Sequence, residues 1–259
     1  MKNLRPRAQR RDRTETKRFF IISPGAERDG VIVLAGPEFH HCTRVCRVRA
    51  GETVSLIDGR GGRYEARLDR IGDGEAVFTV ISRSSIEEPL PVDMAIGVIK
   101  APRFELAVEK CTELGARTLI PFTSARCVWR KGARDDEAKL ERIRRKVIAS
   151  CKQSGQSFFP EIDPVSSFDE LTERFSSYRA VFLADQDGVR ASTPSRAPRE
   201  GPVLGIVGPE GGLSPEERGI LIARGAVAVS LGLYRLRTET AAICLLYRLA
   251  SEVSSASSA

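Results

Sequence analysis

The chain has 259 residues, 41 % hydrophobic and 29 % charged, the balance of a soluble globular protein with one large domain or two modest ones. No apolar run approaches the ~20 residues of a bilayer span. No apolar segment follows the basic N-terminus as a secretory signal would, so a cytoplasmic protein with no membrane partner is expected. The net charge of +7 is unevenly placed, because residues 1–18 hold eight Lys or Arg against Asp12 and Glu15. Residues 1–17 read as a basic, disordered, solvated extension or as an arm that grips nucleic-acid phosphates. The two acids argue against a transit peptide.

Six cysteines are scattered without a CxxC pair. Cys42 and Cys46 are four apart, beside His40 and His41, and faintly suggest a metal site. Structural zinc needs a second ligand cluster, and none follows. Buried thiols in a reducing compartment are expected, and no metal.

In chain order, Phe19 to Ile22 and Val31 to Leu34 are short apolar runs. Pro37 to Val48 reads as a short helix carrying His40, His41, Arg44 and Arg47. Thr53 to Ile57 is strand-like and runs into Asp58-Gly59 and Gly61-Gly62, a hairpin signal. Tyr64 to Leu68 and Ala76 to Ile81 alternate as its partners. A small β-barrel or curled sheet is expected for residues 18–85. Ser84 to Pro91 reads as a linker. Strands and helices then alternate across 86–259: a strand over Val92–Ile99, a helix over Arg103–Leu114 ended by Gly115, a strand over Thr118–Phe122 and a helix over Glu137–Lys152. That helix carries Lys139, Arg142, Arg145 and Lys146 opposite its apolar stripe, a face suited to phosphates or simply solvated, with Glu141 pairing Arg145. Strands over Ala180–Ala184, Val203–Val207 and Ala226–Leu231 follow, with residues 186–201 as a surface loop. This order implies an α/β fold with a mostly parallel sheet covered on both faces.

Ligands of such sheets bind beyond the carboxyl ends of the strands. Two loops there stand out. One is Gly208-Pro209-Glu210-Gly211-Gly212, followed by the helix-start signature Ser214-Pro215-Glu216-Glu217. It is neither GxGxxG nor a Walker loop, and its carboxylates suit a positively charged cofactor better than a phosphate. The other is Leu231-Gly232-Leu233-Tyr234-Arg235-Leu236-Arg237-Thr238-Glu239-Thr240-Ala241, opening an apolar helix. Capping and dipole effects account for Thr238 and Glu239. They do not account for two arginines beside the positive end of a helix.

These segments resemble the bacterial 16S ribosomal RNA uridine-N3 methyltransferase family, in the SPOUT superfamily of knotted methyltransferases. The resemblance rests on several blocks in order. The first are Arg18-Phe19-Phe20, then His40-His41 with Val45 and Arg47, then Lys100, Arg103 and Lys110-Cys111-Thr112-Glu113-Leu114-Gly115 with Ile120-Pro121. Gln153-Ser154-Gly155 with Pro160-Glu161-Ile162 comes next, and the two loops above complete the series. Three positions depart from the family pattern: Tyr234, Gln156 and Ala125. The resemblance implies a PUA-like N-terminal β-barrel that binds RNA, a C-terminal α/β domain with a trefoil knot, and a homodimer with its site near the subunit interface. It implies S-adenosylmethionine held by Leu183, Gly208, Pro209, Glu210, Gly211, Leu231, Gly232, Leu236, Thr238, Thr240 and Ala241. RNA contacts would fall to Arg18, His40, His41, Arg44, Arg47 and Arg103, with dimer packing the other reading of the two histidines.

The implied substrate is a uridine of 16S ribosomal RNA in the small subunit. Its N3–H must lose a proton before nitrogen becomes nucleophilic, which assigns Glu239 as base and Arg237 as stabiliser of the uridine anion. A sulfonium methyl is already activated, so the chemistry calls for no metal. Two alternatives stay open: another SPOUT enzyme, such as a ribose 2′-O-methyltransferase, or a non-catalytic RNA-binding assembly factor.

Overall fold

A computed structural model describes residues 18–85, 89–127, 133–189 and 201–256. The basic extension, part of the Ser84–Pro91 linker and most of the 186–201 loop lie outside the described residues.

The first half forms a curled five-stranded sheet. Its strands are β1 (Phe19–Ile21), β2 (Val31–Ala35), β3 (Thr53–Ile57), β4 (Gly62–Ile71) and β5 (Glu75–Ser85), in the order β1-β3-β4-β5-β2. Only β1 and β3 run parallel; the other neighbours are antiparallel. The inward row of Phe20, Ile32, Leu34, Leu56, Leu68 and Phe78 is buried around one core. The expected helix over 37–48 is shorter and irregular. A single α-turn, α1 (Gly36–His40), passes into a π-turn over His41–Val45. Cys46 N donates to His41 O at 2.9 Å, and Arg47 takes φ +53°.

The second half is a six-stranded parallel sheet in the order β11-β9-β10-β6-β7-β8. Its elements are β6 (Val92–Gly97), α2 (Ala101–Glu113), β7 (Thr118–Phe122), α3 (Ala133–Ser154), β8 (Glu161–Ile162), α4 (Phe168–Glu173), β9 (Ala180–Val189), β10 (Val203–Val207), α5 (Pro215–Ala223), β11 (Val227–Val229) and α6 (Thr238–Ala256). Strands β6 and β10 are buried at every position, as a sheet covered on both faces requires. One face packs against α2, α3 and α6, and the other closes over Leu171, Phe175 and Leu221. At the centre, a Cβ on Gly205 would fall 2.7 Å from Met94 Sδ and 3.1 Å from Leu245 and Leu249, so only glycine lets α6 approach so closely.

Three differences from expectation have physical causes. Helix α2 starts at Ala101, two residues early, because Pro102 is pre-set for a first helical turn. Strand β9 runs on to Val189 rather than stopping at Ala184, and Val189 pairs with Val229 across a register shift. Two of the four basic residues on the α3 face are paired within the fold, Arg142 with Glu105 at 2.8 Å and Lys146 with Glu109, and Glu141 pairs with Arg144 instead of Arg145.

Cys42, Cys111 and Cys151 are buried, whereas Cys46, Cys127 and Cys244 are half-buried. Burial pushes the Cys111 and Cys151 thiols up to about 12; burial, then the neighbouring Cys46, pushes Cys42 up to about 11. Folding therefore favours the protonated thiols, so this contribution to stability is intact below pH 9 and is lost as pH climbs through the folded values. A thiol reagent at pH 8 should modify at most Cys46, Cys127 and Cys244 in the folded chain and all six cysteines after denaturation. The urea midpoint should fall between pH values of roughly 9 and 11.

Candidate active site

The carboxyl ends of β9, β10 and β11 meet in one cleft of about 420 Å³, the size of a small-molecule site. Its floor is the turn after β10. There the Ser214 hydroxyl accepts from Glu217 N at 3.1 Å while the Glu217 carboxylate accepts from Ser214 N at 2.8 Å, the reciprocal cap expected at the start of α5. The other Glu217 oxygen accepts from Ala125 N at 2.7 Å. This buried carboxylate therefore fixes the turn and faces no ligand.

The roof is the segment between β11 and α6. Thr238 Oγ1 donates to Gly208 O at 3.0 Å, and Arg235 Nη2 donates to Glu210 O at 3.4 Å. Thus the two segments singled out in the sequence touch. Of the residues expected to hold the cofactor, Leu183, Gly208, Pro209, Glu210, Leu231, Gly232, Leu236, Thr238 and Ala241 line the cleft, as does Arg237. Gly211 lies behind the turn, where its missing Cβ leaves room for Arg126 at 3.1 Å, and Thr240 is exposed on the outer side of α6. Neither lines the cleft. Asp185 and Gln186 do, unforeseen because β9 was expected to end earlier, and so do Arg218, Ser230 and Tyr234. Asp185 is held by Arg218.

The charges are interlocked. Arg103, half-buried on α2, donates to Glu210 Oε1 at 3.0 Å and lies 4.0 Å from Glu239 Oε1. It belongs to the cleft and not to the β-sheet half. The Glu239 side chain is 7 % exposed, and its Oε2 has no hydrogen-bond partner among the described residues. Of the other expected RNA contacts, Arg18, just before β1, and His40, Arg44 and Arg47, on and after the irregular turns that follow β2, are exposed. His41 is not: its Nδ1 lies 3.2 Å from Lys152 Nζ and its Nε2 3.6 Å from Cys46 Sγ, where the two halves meet. Among the described residues no group of three or more His, Cys, Asp or Glu is placed to hold a metal ion, and no helix is long and apolar enough to cross a membrane.

Comparison with known proteins agrees with this geometry. Residues 86–250 match the family model of the RNA methyltransferase domain, and residues 34–81 that of the RNA methyltransferase PUA domain. The chain is 34 % identical over 230 residues to Ribosomal RNA small subunit methyltransferase E of Mycobacterium bovis, covering 86 % of this chain and 87 % of the relative. It is 28 % identical over 236 residues to the Bacillus subtilis protein of the same name, covering 87 % and 92 %. A Legionella pneumophila protein described as a methyltransferase, solved with bound cofactor S-adenosylmethionine, superposes with a TM-score of 0.78 at 26 % identity, covering 91 % of this chain and 97 % of that one.

Thr238→Val keeps the side chain's shape and removes the donor that joins floor to roof. The Gly208 carbonyl then loses its partner in a partly buried setting, so urea denaturation should show a loss of about 1–2 kcal/mol.

Proposed function

This chain belongs to the RNA methyltransferase family, and from that premise we propose that it transfers a methyl group from S-adenosylmethionine to N3 of a uridine in 16S ribosomal RNA of the small subunit. The observation that carries the proposal is the closed contact of the turn 208–212 with the segment 235–241 across one cleft.

The cleft fits a nucleoside joined to an amino acid. Gly232 lines it, and a Cβ built there meets nothing within 4 Å, so the missing side chain leaves space for a ligand. Backbone around Gly208 and Leu231 supplies hydrogen-bonding groups, and Leu183, Leu236 and Ala241 supply apolar contact. When bound, S-adenosylmethionine supplies a methyl group already activated on a sulfonium. The protein's remaining work is to bind the uridine in line, remove its N3 proton and stabilise the charge left behind. Arg237, on the cleft wall, is assigned the charge. Glu239 is assigned the proton as a buried carboxylate behind the cleft lining, 4.0 Å from Arg103 Nε, with one oxygen that has no hydrogen-bond partner among the described residues. Residues 18–85 hold the RNA through exposed Arg18, His40, Arg44 and Arg47, and residues 86–259 carry out transfer.

The relatives' name supports the small-subunit RNA as substrate, and a cytoplasmic reaction is proposed with it. Leu233 and Tyr234, adjacent in the segment between β11 and α6, are 66 % and 82 % exposed. Large apolar side chains grouped in this way support a homodimer that covers them. The return of the chain from β11, at the sheet edge, to α6 over the central strands is the path from which we propose the trefoil knot.

Incubation with labelled S-adenosylmethionine and small subunits, then digestion to nucleosides, should yield label in 3-methyluridine. Label in a ribose-methylated nucleoside would instead support 2′-O transfer, and RNA binding without label would support an assembly factor. Arg237→Ala should slow transfer by about 10²–10³-fold, the scale for removing one group that stabilises developing charge. Its cofactor affinity should stay within a few-fold, as isothermal calorimetry would show.

A further inference from the structure

One block of the sequence plays no part in the cleft: Gln153-Ser154-Gly155 with Pro160-Glu161-Ile162. It flanks the seam between the two halves. Gly155, at φ +72°, lies under the Phe19 ring, and a Cβ there would fall 2.5 Å from Phe19 Cζ. Across the seam the arrangement is mirrored. Gly59, at φ +74°, lies under the Phe159 ring, where a Cβ would fall 2.7 Å from Cδ2. Each half thus contributes one glycine and one aromatic ring. Between them the backbones join directly: Gly61 N donates to Ser157 O and Phe159 N donates to Gly59 O, both at 3.0 Å. Arg63 covers the outer side of the Phe19 ring at 4.8 Å, and Lys152 bridges Glu38 and His41 at the edge of the seam.

A seam with two ring-on-glycine seats and paired backbone has one good register, and a sub-ångström intrusion displaces it. The exposed basic residues lie on one side of the seam and the cleft on the other, so one RNA must meet both at a fixed spacing. We infer that Gly155 and Gly59, seated under Phe19 and Phe159, are positioning residues for methyl transfer, holding the RNA-gripping sheet in the register that presents the target base to the cleft. The inference rests on the proposed function. Misplacement of reacting groups by about 1 Å costs on the order of 10²-fold in rate, and neither seat lines the cleft.

The test uses the full chain with small subunits and labelled S-adenosylmethionine. Gly155→Ala should lower kcat by about 10- to 100-fold while the KM for small subunits and the Kd for S-adenosylmethionine change less than about threefold. Phe19→Leu in the same chain shortens the ring that the new methyl strikes and should return kcat to within about threefold of the starting protein. Gly74→Ala, at φ +85° in open space, carries backbone strain without crowding and should leave kcat unchanged. Should Gly155→Ala not fold, Phe159→Leu loosens the second seat and should show the same split between kcat and KM. Unchanged kcat in the seat variants, or a kcat loss that Phe19→Leu does not repair, overturns the inference. No transfer by the unaltered chain sinks the proposed function, and the inference with it.

Discussion

The last helix is not laid down beside the last strand. Strand β11 is the outer edge of the sheet, yet α6 packs over β10 and β6 near its centre and against α2. The eight residues from Ser230 to Arg237 must therefore cross the carboxyl ends of β9 and β10. That crossing makes the cleft. Where the two chain segments pass closely there is little room for Cβ atoms, and Gly208, Gly212 and Gly232 are among the lining residues. The hydrogen bond from Thr238 to Gly208 pins the crossing where α6 begins, so the first turn of the helix and the turn after β10 are held as one unit.

The electrostatics follow from this closeness. Arg103, Arg218, Arg235 and Arg237 all line the cleft, but three of them are committed: Arg103 to Glu210, Arg218 to Asp185, and Arg235 to a carbonyl of the glycine turn. Two arginines beside the start of a helix were the feature that capping could not explain. In the structure one of them, Arg235, braces the loop. Arg237 lines the cleft beside them. Arg103 stands between two carboxylates, and its single charge balances Glu210 while remaining near Glu239.

Much of this was legible in the sequence because it is local. Apolar runs such as Val203–Val207 became strands with the expected bounds, since a fully buried strand needs no partner-specific pattern. The capping box at Ser214 depends on residues three apart, and it formed. The overrun of β9 was illegible: Asp185 to Gly188 is polar and glycine-bearing, and it is extended only because β11 lies alongside. A Cβ on Gly188 would fall 2.6 Å from Val229 N. The role of His41 was hidden for the same reason. Its neighbours in sequence suggest RNA, but its neighbour in space is Lys152, 111 residues away. The partners of Arg142 and Lys146 on α3 were illegible for that reason too, because Glu105 and Glu109 lie on α2.

The three departures from the family pattern show why those losses are tolerable. Ala125 contributes its backbone N–H to Glu217, a donation that any non-proline residue makes, so the loop after β7 still docks on the turn after β10. Arg126 follows with Cβ packed on Gly211 and Nη1 donating to Gly211 O at 3.3 Å. Gln156 N donates to Cys151 O at the end of α3, again a main-chain bond, while its side chain lies near Gly115. Tyr234 is 82 % exposed on the cleft rim, and the next residue, Arg235, makes the contact with the glycine turn. At each position main-chain bonds or a neighbouring side chain hold the geometry. Of the side chains gathered around the start of α6, Arg237 and Thr238 line the cleft, and Glu239 is buried beside Arg103.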